Sequence, residues 1–128
     1  MRFRLAALLR SISPVVPMLA LITAAAPAAA HSELRASIPA PGAVLDCPPD
    51  RIELQFNEGV QLTALRLHRV EGDEVELPRR EIRESNVETI ALPPLEPGDF
   101  RAEWRIISAD GHPVGGTILF SISEACPS

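Results

Sequence analysis

The sequence predicts an all-β protein, an antiparallel sandwich or barrel of six or seven short strands. Three observations lead there. Apolar and polar residues alternate with period two in several short windows. No window of twelve residues carries a clean 3.6 period. Thirteen prolines and seven glycines punctuate 128 residues, which excludes a bundle of long helices.

The elements follow in order. Arg51–Phe56 sets Ile52, Leu54 and Phe56 on one face and Glu53 and Gln55 on the other, a half-buried strand. Leu65–Val70 repeats the pattern, with Leu65 and Leu67 opposed to Arg66 and His68. Gly72-Asp73 marks a hairpin turn before Val75 and Leu77. Val87–Leu92 forms a further strand, ended by Pro93, Pro94, Pro97 and Gly98. Phe100–Ile107 has the cleanest alternation, Phe100, Ala102, Trp104 and Ile106 against Arg101, Glu103 and Arg105. Thr117–Ile122 closes the set with Ile118, Phe120 and Ile122 inward.

Residues 1–30 read as an export signal. Arg2, Arg4 and Arg10 give a positive start, and Leu5–Ala30 is mostly Leu, Val, Ile and Ala. Cleavage after Ala30 puts small residues, Ala28 and Ala30, at the −3 and −1 positions and leaves His31 first. Cleavage after Ala26 or Ala29 is disfavoured by Pro27, and cleavage after Ala28 is the weaker alternative. An uncleaved anchor is the other reading of this run; its prolines and Ala-rich end speak against it. The domain is therefore expected over 31–128, exported and not embedded in a membrane. Those 98 residues carry nine Arg against seventeen Asp and Glu, a net charge of −8. Such a body offers phosphates no basic stripe, which excludes a nucleic-acid partner.

Cys47 and Cys126 are the only cysteines, and an even count in an exported chain reads as a disulfide. Thiolate ligands or a redox couple are the alternative, and no CxxC spacing supports it.

Metal-binding chemistry concentrates at three places. A free N-terminal His31 offers its α-amine and its imidazole Nδ1 to one ion, closing a six-membered chelate ring. Cu(II) heads the divalent series for nitrogen ligands. Asp110-Gly111-His112 follows the best strand and precedes Pro113, Gly115 and Gly116. Gly111 permits a tight turn and Pro113 keeps His112 extended, so carboxylate and imidazole can aim at one point. Taken alone, Asp-x-His is usually a turn with a solvated histidine. Glu58, just past the first strand, is either a solvent carboxylate or a further oxygen donor.

Three stretches together resemble the CopC family of periplasmic copper-binding proteins: His31-Ser32-Glu33-Leu34, Ser37-Ile38-Pro39-Ala40 with Gly42, and Trp104-Arg105-Ile106-Ile107-Ser108-Ala109-Asp110-Gly111-His112-Pro113. The resemblance spans His31 to Ile122. It implies a seven-stranded Greek-key β-sandwich resembling cupredoxins, and one Cu(II) ion held by the amine and imidazole of His31, by Asp110 and by His112. Glu58 stands where some members have a nearby acidic residue, and so becomes a weak ligand candidate. His68 matches no family ligand. The resemblance also implies a CopD-type inner-membrane copper transporter as recipient. Some members bind Cu(I) through a methionine-rich loop, but here the only methionines are Met1 and Met18, inside the leader. Thioether is the soft donor that selects Cu(I), so residues 31–128 lack the means to build that site.

The expectation is a copper-binding protein for copper homeostasis or resistance, not an enzyme. No Ser-His-acid arrangement and no phosphate loop is apparent. Two rivals remain: a copper-dependent oxidative enzyme using a histidine amine-imidazole chelate, and a structural sandwich module that binds no metal.

Overall fold

The computed structural model describes residues 32–127, together with 2, 11–15 and 17. His31 and most of residues 1–30, expected to be an export signal, lie outside the described residues. Within them there are seven strands and no helix. In chain order these are β1 (Leu34–Ile38), β2 (Ala43–Leu45), β3 (Arg51–Arg69), β4 (Glu74–Val75), β5 (Glu84–Ala91), β6 (Gly98–Ile107) and β7 (Pro113–Ile122). They form a curled sheet in the order β1-β3-β6-β7-β2, with β4 and β5 also paired to β3.

The two strands expected at 51–56 and 65–70 are one continuous strand of 19 residues, β3. Its apolar phase explains why the sequence suggested a break. Ile52, Leu54, Phe56, Val60 and Leu62 point inward at even positions, whereas Leu67 is buried at an odd one. A register shift between Leu62 and Ala64 against β6 absorbs the extra residue and flips the alternation without ending the strand. The first half of β3 pairs with β1 and β5, the second half with β6 and β4. One strand thus serves two groups of neighbours, and the sheet curls around the core.

The expectation of purely antiparallel pairing needs one amendment: β2 runs parallel to β7, with Ala43 beside Phe120 and Leu45 beside Ile122. Gly42 makes this possible. Its φ of +76° suits glycine, and its N–H donates to the Leu119 carbonyl at 2.6 Å. The Cys47–Cys126 disulfide forms just beyond this pair, with Cα atoms 4.6 Å apart.

The core follows the expected faces of β6 and β7. Phe100, Ala102, Trp104, Ile106, Ile118, Phe120 and Ile122 are all buried. Phe100 stacks on Phe120 at 5.3 Å, and Trp104 meets Phe56 edge to face at 5.5 Å. β7 begins at Pro113 rather than Thr117 because Gly115 and Gly116 are part of the strand, opposite Arg105 and Trp104. A Cβ on Gly116 would lie 2.6 Å from Cζ2 of the indole, so the ring occupies the space a side chain would need.

Candidate metal centre

The turn between β6 and β7, residues 108–112, carries Asp110 and His112. Gly111 has φ +86°, and its N–H donates to the Ser108 carbonyl at 2.9 Å. The Ser108 N–H donates to the His112 carbonyl at 2.8 Å and closes the turn. The Ser108 side chain, only 4% exposed, sits inside it. Its hydroxyl donates to Asp110 Oδ1 and accepts from the His112 N–H at 3.1 Å. The same N–H reaches Asp110 Oδ1 at 3.2 Å.

Asp110 and His112 come together as expected. Asp110 Oδ2 lies 3.0 Å from His112 Nδ1, and the imidazole is 72% exposed. An oxygen and a nitrogen at that separation can be shared by one ion. The Ser108 hydroxyl, and then the His112 side chain and backbone N–H, hold the Asp110 carboxyl well below the usual carboxylate range. Asp110 is therefore an anion throughout the neutral and mildly acidic range.

Glu58 sits where β3 changes its pairing with β5, between Gln55 and Val60. Released from that ladder, Asn57 and Glu58 engage the segment ahead of β1. The Glu33 N–H donates to Asn57 Oδ1 at 2.8 Å, and the Asn57 N–H donates to the Glu33 carbonyl at 3.0 Å. The Ser32 hydroxyl donates to Glu58 Oε1 at 2.6 Å and accepts from the Ala109 N–H at 3.3 Å. Ser32, 2% exposed, is thus bonded to β3 and to the turn bearing Asp110 and His112.

Among the described residues no three His, Cys, Asp or Glu side chains group closely enough to hold an ion. Asp110 and His112 are a pair, and His31 lies outside the described residues. His68 is half-buried, 3.7 Å from Glu103 Oε2 and apart from the turn's hydrogen-bond network. Cys47 and Cys126 are bonded to each other, which removes them as thiolate donors.

Reading the sequence alone missed Ser32, Ser108 and Asn57. The Ser-x-Asp spacing of Ser108 and Asp110 is a local signal for a side-chain-stabilised turn. Ser32 has no comparable signal, since its partners stand 26 and 77 residues away.

The chain is similar to proteins already described. Copper transport protein CutJ of Bacillus subtilis is 38% identical over 101 residues, 75% of this chain and 19% of CutJ. The chain thus spans about a fifth of that relative's length. Copper resistance protein C of Xanthomonas campestris pv. juglandis is 32% identical over 123 residues, 88% of this chain and 96% of the relative. The crystal structure of PcoC, described as a methionine-rich copper resistance protein from Escherichia coli, superposes with a TM-score of 0.57 at 27% identity, covering 73% of this chain and all of PcoC. The CopC domain model matches residues 34–123, from the first residue of β1 to just past β7, and the chain belongs to the CopC family.

Proposed function

We propose that the protein binds one Cu(II) ion in the periplasm and sequesters it or passes it on. Processing after Ala30 frees His31, whose amine and imidazole join the Asp110 carboxylate and the His112 imidazole. Three nitrogens and one carboxylate oxygen suit the tetragonal preference of Cu(II). Glu58 is engaged by the Ser32 hydroxyl at 2.6 Å and is left out of this donor set. The observation that carries the reading is the bond from the Ala109 N–H to Ser32: the residue after His31 is tied to the turn that holds Asp110 and His112. Consecutive Cα atoms are about 3.8 Å apart, so the donors of His31 start one residue from that anchor.

The names of the relatives support copper as the cargo, since they are called copper resistance and copper transport proteins. Unlike the methionine-rich PcoC, residues 31–128 hold no methionine, which supports a site for Cu(II) and none for Cu(I). No helix among the described residues is long and apolar enough to cross a membrane. A CopD-type inner-membrane transporter is the recipient this reading implies. The role is binding rather than catalysis.

The test is a Cu(II) titration of exported protein whose first residue has been identified by mass. One equivalent should bind and quench the emission of Trp104, which lies four residues before Ser108 on β6. One extra residue ahead of His31, or Asp110→Ala or His112→Ala, should weaken binding by orders of magnitude. His68→Ala should not. Unchanged affinity in the extended protein would overturn the reading.

A further inference from the structure

Ser32 precedes β1 and belongs to no strand, yet it is among the most buried residues of the molecule. Segments ahead of a first strand ordinarily fray. Here both capacities of the hydroxyl are used, one toward Glu58 and one toward Ala109. The 2.6 Å bond to a carboxylate is of the short, charge-assisted kind. Two further bonds between Glu33 and Asn57 fix the next residue.

We infer that Ser32 is the positioning residue of the copper site: its hydroxyl bridges Glu58 and the Ala109 amide, and so holds the N-terminal donors against the turn that carries Asp110 and His112. The inference rests on the copper reading above. A chelate drawn from two distant segments must otherwise order both when the ion binds, and that ordering is subtracted from affinity. Ser32 transfers the ordering to the folding of the metal-free protein. The same geometry gives Glu58 a role distinct from ligation. It accepts from Ser32 and acts on the ion through it, as outer partners of metal ligands do.

The experiment uses the full chain exported with its own leader, its first residue checked by mass. Cu(II) affinity is measured by competition against a chelator, the copper spectrum by electron paramagnetic resonance, and the metal-free protein by thermal unfolding. Ser32→Ala should weaken Cu(II) binding about 10- to 100-fold and alter the copper hyperfine splitting. Glu58→Ala, which removes the acceptor and leaves Ser32 in place, should do the same. Glu58→Gln should lose far less than Glu58→Ala, because its Oε1 still accepts the bond, though without the charge. Parental affinity and spectrum in Ser32→Ala, even with a lowered Tm, would make Ser32 merely structural and overturn the inference. So would equal losses in Glu58→Gln and Glu58→Ala, the mark of a direct ligand. If the parent protein begins at His31 and takes no Cu(II), the copper reading itself fails. If it binds and Ser32→Ala binds equally, only the positioning role falls.

Discussion

Asp110 shows how a single carboxyl is prepared by its neighbours. The Ser108 hydroxyl, and then the His112 side chain and backbone, favour its charged form and lower its pKa from the ordinary 3.8. A carboxyl whose pKa is lower in the folded chain adds stability above its unfolded value. That contribution is lost as pH falls below it and through the folded value. In metal-free protein, Asp110→Asn should therefore be less stable than the parent at neutral pH by urea unfolding. The gap should close only below about pH 3.8. A gap that narrows already between pH 7 and 5 would contradict this account. The turn carrying Asp110 and His112 was legible in the sequence because Gly111 and Pro113 mark it, whereas singling the pair out as metal donors rested on the resemblance to the CopC family. Ser32 was not, because a serine's hydrogen-bond partners are chosen by tertiary structure.

Glycine 116 belongs to the scale of strands. β6 and β7 pair along ten residues each, and Trp104 faces Gly116 across the ladder. A methyl group there would stand 2.6 Å from the indole and force it or the strand to move. Gly116→Ala should destabilise the protein by about 1–3 kcal/mol, as overpacking does. The emission maximum of Trp104 should shift in the metal-free state; an unmoved maximum with unchanged stability would refute the packing argument. Alternation placed β6 at Phe100–Ile107, and the strand begins two residues earlier, at Gly98; the hairpin after Gly72-Asp73 formed as expected, with β4 at Glu74–Val75. β3 was read as two pieces because a bulge reverses its phase. β1 and β2 left no such trace: β2 has three residues, and β1 buries only Ser37.

Over the whole molecule, non-local pairing dominates, and the disulfide closes the longest part of it. Cys47 and Cys126 are 79 residues apart. On the chain-entropy model such a loop contributes up to about 4.5 kcal/mol. Reduction should lower the urea midpoint accordingly, and an unchanged midpoint after verified reduction would show that the β2–β7 pair holds without it. An even pair of cysteines in a chain read as exported made the bridge legible. The parallel placement of β2 beside β7 was not, since strand order is decided by packing rather than by any local pattern. The turn carrying Asp110 and His112 opens β7, and the cystine lies past its close. At about 3.3 Å per residue, ten residues put some 30 Å of strand between them. The molecule therefore has two poles, one bearing Asp110 and His112 and the other the cystine. A surface or label grafted at the tail would leave the pole bearing Asp110 and His112 pointing away from its support, open to whatever approaches.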